Sequence, residues 1–231
     1  MAILTCRGLG KRYGRTAALE NVNLEIEPGR VVGLLGPNGS GKTTLIKLAN
    51  GLLTPSEGEV LIAGEKPNPE TKALVAYLPD RDYLADWMTP RQQMDFFQDF
   101  YGDFDRAKAE EMMGRLGIDM DRRFKQLSKG TREKVQLILV MSRSAKLYLL
   151  DEPIGGVDPA TRDFILETII RNYNPEAAVI ISTHLIADVE AVLDEVIFLQ
   201  NGQITLHTSA DEIREERGMS VDRYFREVYR C

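Results

Sequence analysis

The run Gly36-Pro37-Asn38-Gly39-Ser40-Gly41-Lys42-Thr43 is suited to hold phosphate. It fits the pattern G-x-x-x-x-G-K-[ST], known as Walker A. Its glycines let the backbone bend until the N–H groups point inward at phosphate oxygens. A helix starting near Lys42 adds its positive N-terminal end at the same place. Lys42 supplies a mobile cation for the β- and γ-phosphates, and the Thr43 hydroxyl is a ligand for Mg²⁺. Thr44 is counted with the same nucleotide-binding run.

A second group of residues suits hydrolysis. Leu147-Tyr148-Leu149-Leu150 is an apolar strand that ends in Asp151-Glu152. An aspartate at that strand end can hold Mg²⁺, as in a Walker B motif. Glu152, the next residue, faces the space of an attacking water and can polarise it as general base. Ser182-Thr183-His184 follows another apolar strand. A histidine at that exit can reach a terminal phosphate, although a single histidine read alone is more often structural or exposed than functional. His207, the other histidine, is assigned no role.

These residues need strands to carry them and helices to follow. Val31–Leu35 is a short continuous apolar run, the pattern of a buried parallel strand, and Lys42–Leu52 reads as the helix after the glycines. Val22, Leu24 and Ile26 alternate with polar residues as a half-buried strand does. Gly58–Ala63 and Ala73–Leu78 read as further strands. Beyond Pro79 the chain becomes helix-like and charged as far as Arg143, with an aromatic cluster from Tyr77 to Phe104. Phe96, Phe97 and Phe100 read as the core of that helical part. The alternation then resumes with strand Leu147–Leu150, helix Pro159–Arg171, strand Ala178–Ser182 and helix Leu185–Leu193. Asn201-Gly202 between Val196–Leu199 and Ile204–Leu206 is a two-residue hairpin signal. Ser209 with Glu212 marks a capping-box helix start, and a last amphipathic helix covers Val221–Tyr229.

The 231 residues suffice for a large core, and a net charge of −6 argues against a nucleic-acid binder that works by bulk charge. The only two cysteines, Cys6 and Cys231, stand at opposite ends, so no disulfide framework or Cys metal motif is expected, and a reducing cytoplasm is the expected home. No apolar run approaches the roughly 18–20 residues of a spanning helix, and Met1–Cys6 does not read as a secretory signal.

Taken in order, the motifs resemble the ATP-binding subunit of ABC transporters over nearly the whole chain. Leu127-Ser128-Lys129-Gly130-Thr131, shortly before the Asp151 strand, is similar to that family's signature Leu-Ser-Gly-Gly-Gln. Lys129 and Thr131 depart from it, while Ser128 and Gly130 are kept. Read alone, this is an ordinary helix N-cap. Tyr13 matches the aromatic that stacks on adenine, and otherwise reads as a surface or core tyrosine. Ile154-Gly155-Gly156-Val157-Asp158 matches the D-loop, with Gly155 in place of its serine. His184 matches the switch histidine. Asp80 stands where the family usually has a Mg²⁺-binding glutamine, and otherwise reads as a helix cap.

The resemblance implies an α/β P-loop NTPase of ABC type: a mixed sheet core, an antiparallel β subdomain and an inserted α-helical subdomain. Within a single domain over 1–231, segments 1–79 and 144–208 form the catalytic core with the β subdomain. Residues 80–143 form the helical signature subdomain and 209–231 a helical tail. ATP and Mg²⁺ are the implied cofactors, with Glu152, His184 and Lys42 catalytic and Thr43, Asp151 and Asp80 at the metal. Ser128, Lys129, Gly130 and Asp158 then work across a head-to-tail pair of subunits. The implied partners are a second copy or a homologous ATPase subunit and transmembrane permease subunits, with no nucleic acid. The implied place is the cytoplasm, peripheral on the inner face of the cell membrane through the permease. The Leu-Ser-Lys-Gly signature and the short tail are closest to bacterial ABC-2-type exporter ATPases. A soluble non-transport ABC ATPase and a weakly hydrolysing ATP switch are the alternatives.

Overall fold

The computed structural model describes residues 1–229; Arg230 and the cysteine at 231 lie outside them. In chain order the elements are β1 (Leu4–Tyr13), β2 (Thr16–Ile26), β3 (Val31–Leu35), α1 (Lys42–Ala49), β4 (Glu57–Ile62), α2 (Pro69–Ala73) and β5 (Val75–Leu78). There follow α3 (Pro90–Phe100), α4 (Arg106–Arg115), α5 (Lys129–Met141), β6 (Leu147–Asp151), α6 (Pro159–Asn172) and β7 (Ala178–Thr183). The last are α7 (Ile186–Val189), β8 (Glu195–Gln200), β9 (Gln203–Ser209), α8 (Ala210–Arg217) and α9 (Val221–Val228).

The strands form two sheets. A three-stranded antiparallel sheet has the order β2-β1-β4, and a six-stranded sheet has the order β5-β6-β7-β3-β8-β9. Every pair in the larger sheet is parallel except β8–β9. The mixed core sheet and the antiparallel β subdomain are those expected. Strands β3, β6 and β7 are buried along their entire length, which is why they read as unbroken apolar runs. Successive side chains go to opposite faces. Val31, Leu35, Tyr148, Leu150, Val196 and Phe198 join the core beneath α5, α6, α8 and α9, whereas Val32, Leu34, Leu147, Leu149 and Ile197 face α1 and the small sheet. Residues 84–139 contribute a third cluster, built on Met94, Phe97, Met113, Phe124, Val135 and Ile138.

Register places the site. Asp151 pairs with Ser182, and Leu35 with Thr183, so β6, β7 and β3 end side by side at one edge of the sheet. The carboxyl ends of parallel strands are where ligands bind in open α/β sheets.

Several elements differ from the sequence reading. The strand expected from Ala73 starts at Val75, because Asn68 caps α2 reciprocally with Thr71 and Pro69 begins that helix. Helix α1 ends at Ala49, with Gly51 at φ 64 closing the turn, and the helix expected through Leu193 is the short α7 followed by a 3₁₀ turn over Glu190–Val192. Ser209 caps α8 as expected, but Glu212 accepts from the Thr208 hydroxyl rather than closing a reciprocal box. The assignment of Phe96 and Phe100 to the core is wrong. Helix α3 buries the stripe Pro90, Gln93, Met94 and Phe97; Phe96 points away from that stripe, and Phe100, though in phase with Gln93 and Phe97, is the last residue of the helix and is left uncovered. Those two rings stack on each other in solvent, 53% and 69% exposed, with centroids 6.0 Å apart. The Asn201-Gly202 hairpin forms as expected, both residues at positive φ (49° and 79°), as a type I′ turn requires.

Candidate active site

The glycine run leaves β3 and enters α1. Two of its glycines are required by space. A Cβ on Gly36 would lie 2.3 Å from the Leu199 carbonyl oxygen, and Gly41 sits at φ 112° with a Cβ position 2.6 Å from the Ala18 carbonyl. Pro37, Asn38 and Gly39 form the exposed crest of the turn; Ser40 is buried beneath it and Thr44 half-buried on α1. Ser128, Asp158, Ser209 and Ser220 spend a side chain capping their helices, whereas α1 has no side-chain cap. Its first N–H groups are therefore free to receive an anion.

Lys42 is buried, with its ammonium 2.8 Å from the Gly36 carbonyl, 3.3 Å from that of Pro37 and 3.4 Å from Glu152 Oε1. The Thr43 hydroxyl donates to Asp151 Oδ1 at 3.1 Å, and the Ser182 hydroxyl donates to the same oxygen at 2.6 Å. Asp151 is fully buried, and its Oδ2 has no hydrogen-bond partner. Burial pushes its pKa above the ordinary carboxylate value; the Ser182 and Thr43 hydroxyls pull it back, and the charges of Asp80 and Glu152 raise it again. An orphaned buried carboxylate oxygen beside a hydroxyl fits a hard divalent cation that takes few protein ligands and completes its shell elsewhere. Among the described residues no group of three or more His, Cys, Asp or Glu is placed to hold a metal ion.

Glu152 lies at φ 50°, a left-handed conformation uncommon for its type. Its amide donates to the Ser182 carbonyl at 3.0 Å, and this fixes the turn. The side chain bridges two groups, with Oε1 toward Lys42 and Oε2 3.0 Å from His184 Nδ1. A carboxylate so placed, with a histidine behind it and a phosphate cradle in front, can orient and deprotonate a water.

A model of the family described as "ABC transporter" matches residues 19–155. The ABC transporter ATP-binding protein YtrB of Bacillus subtilis (strain 168) is 31% identical over 217 residues, covering 93% of this chain and 74% of that protein. The chain belongs to the ABC transporter family. The Nod factor export ATP-binding protein I of Cupriavidus metallidurans is 29% identical, covering 87% of this chain and 69% of that one. A solved structure described as the ATP binding subunit of an ABC transporter superposes with a TM-score of 0.86 at 29% identity, covering 98% of this chain and 99% of that one. The fold expected of an ABC ATPase is thus the fold observed.

Within this ABC ATPase the expected site residues fall into two groups. Lys42, Thr43, Asp151, Glu152 and His184 are joined by direct contacts. Asp80 is exposed and shares a cleft with Glu152, Lys129, Glu133 and Gln136. Ser128 caps α5 by accepting from the Thr131 amide, and Asp158 caps α6 by accepting from Thr161, which holds its carboxyl below the usual range. Lys129 is exposed and pairs with Glu133; Gly130 lies open on the first turn of α5. No hydrogen bond among the described residues joins Ser128, Gly130 or Asp158 to the Lys42 group. Tyr13, at the end of β1, is half exposed with the Lys11 ammonium over its ring. Ser182 is the residue the motifs missed. Its only trace in the sequence is a hydroxyl at the end of a wholly apolar strand.

Proposed function

We propose that this chain is the ATP-hydrolysing subunit of a membrane exporter and acts as one of a pair of such subunits. The observation that carries the catalytic part is Glu152, held between Lys42 and His184 beside the glycine-rich turn. The free N–H groups of α1 and the turn bind the phosphates, and Lys42 exchanges its carbonyl partners for the β- and γ-phosphate oxygens. Tyr13 offers its ring face to adenine. Mg²⁺ would be held by Thr43 and Asp151 with Asp80 close by, and it neutralises charge on the phosphates when bound. Glu152 takes a proton from water as the water oxygen bonds to the γ-phosphorus. The bond from that phosphorus to the bridging oxygen breaks, leaving ADP and inorganic phosphate. His184 orients Glu152 and stands near the γ-phosphate.

The match of Leu127–Thr131 and Ile154–Asp158 to the family's signature and D-loop supports the use of Ser128, Lys129, Gly130 and Asp158 on a facing subunit's nucleotide. ATP then favours the closed pair because it touches both subunits there and only one in the open state. The proposed division is a core over 1–79 and 144–208, a helical part over 80–143 and a tail from 209. Permease subunits would dock on the exposed aromatics of the helical part, Trp87 and Tyr83 among them. No described helix is long and apolar enough to cross a membrane, so the proposed attachment is peripheral, on the inner face of the cell membrane. The export direction is supported by the similarity to a Nod factor export protein.

Turnover of Mg²⁺-ATP by the wild type and by Glu152→Gln tests the reading. Loss of the general base is expected to lower turnover at least about 10²-fold. Equal turnover would remove Glu152 from the mechanism. Wild type as inactive as the variant would favour an ATP switch.

A further inference from the structure

Two successive turns of α5 grip the segment of chain that leaves β5. Arg132 Nε donates to a carboxylate oxygen of Asp82, Nη1 to Asp86 Oδ1 at 2.6 Å, and Nη2 to the Leu84 carbonyl at 2.9 Å. One turn further on, the buried Gln136 accepts from the Tyr83 amide at 3.1 Å. The Arg132 guanidinium also lies 5.9 Å from the centre of the buried Phe124 ring. Its own side chain is 15% exposed while Asp82 and Asp86 are 39% and 72% exposed, so what fixes the geometry is the simultaneous use of the fork, including the part-buried bond to the Leu84 carbonyl, rather than burial of the ion pairs. Three nitrogens are used at once, a task for a planar fork that lysine cannot perform. The position matters as much as the chemistry. The Arg132 amide donates to the Ser128 carbonyl, so the guanidinium stands on the first turn of α5, and Asp82 is two residues past Asp80.

We propose that Arg132 is a positioning residue that makes segment 80–86 and the signature end of α5 move as one body. Ser128 and Gly130 then reach a facing subunit's nucleotide only when segment 80–86 is in place. This rests on the shared-site reading above. Arg132 touches no member of the Lys42 group and acts through the placement of Ser128.

The test uses full-length chains carrying Glu152→Gln with Mg²⁺-ATP. Dimer dissociation is measured by sedimentation, and ATP binding by a fluorescent analogue at concentrations where single chains dominate. Adding Arg132→Ala is expected to weaken the ATP-dependent dimer at least about tenfold, with single-chain ATP binding unchanged within about twofold. Arg132→Lys restores only part of the loss. Asp82→Ala leaves Arg132 in place and shifts the dimer in the same direction, so the test stands even if Arg132→Ala does not fold. Unchanged dimerisation in Arg132→Ala or Asp82→Ala overturns the proposal. So does an equal fall in ATP binding and dimerisation, the mark of a merely structural residue. Absence of any ATP-dependent dimer in the Glu152→Gln parent instead overturns the shared-site reading itself.

Discussion

Removing the Ser182 hydroxyl isolates one of the two hydrogen bonds that favour the ionised form of Asp151. The hydroxyl is fully buried, 2.6 Å from Asp151 Oδ1, and also 3.2 Å from the Glu152 amide. That amide keeps the Ser182 backbone carbonyl as acceptor in Ser182→Ala, so the loss falls mainly on Asp151. A hydrogen bond to a charged group contributes about 1.5–3 kcal/mol, and the deletion of one oxygen leaves too small a void to add much. For a chain of this size each 1 kcal/mol moves the melting temperature by about 2–4 °C, so a fall of roughly 3–12 °C is expected at neutral pH. The pH dependence gives the sharper test. The hydroxyl favours the charged carboxylate, so it holds the Asp151 pKa lower in the wild type than in the variant. Its stabilisation is complete above the variant's higher Asp151 pKa and is lost as pH falls from there through the wild-type value. Thermal unfolding of both proteins from acid to neutral pH is the assay. A deficit that is flat across pH, or absent, would refute the account of Asp151.

Other outcomes follow from the same geometry. Burial raises the folded pKa of Asp151, so its ionised form costs stability once the pH passes the unfolded value, and that cost is complete above the folded one. Asp151→Asn should therefore raise the nucleotide-free melting temperature at neutral pH while abolishing stabilisation by Mg²⁺ with ADP; a lower melting temperature would contradict this. Gly36→Ala, with its Cβ 2.3 Å from the Leu199 carbonyl, should lose nucleotide binding by calorimetry, whereas retained affinity would show that the turn relaxes. Phe97→Ala should cost about 3–5 kcal/mol in chemical denaturation, whereas Phe100→Ala should lie within about 0.5 kcal/mol of wild type. Equal costs would contradict the burial of one stripe of α3.

Much of the site was legible because its parts are local. The glycine turn, Lys42 and Thr43 sit between an apolar strand and a helix within a short run, and Asp151-Glu152 end an unbroken apolar strand. Their meeting is not local. It depends on β7 lying between β6 and β3, an order set by packing among distant segments. Ser182 was missed for that reason, since its role exists only across the β6–β7 register. The Phe96 and Phe100 error has a different source. Aromatic density marks a helix that packs, but the phase of α3 turns Phe96 outward and the end of α3 leaves Phe100 uncovered, and neither is read from density alone. Asn68 and Thr71, by contrast, could have been read as a helix start from residue types and spacing alone.

The central claim, two chains closing on shared ATP with Glu152 as the base, is tested most directly by light scattering of the Glu152→Gln protein with Mg²⁺-ATP. A stable species of twice the 26.0 kDa chain mass is expected, returning to the single-chain mass when ATP is removed. A single-chain mass at saturating ATP would contradict it.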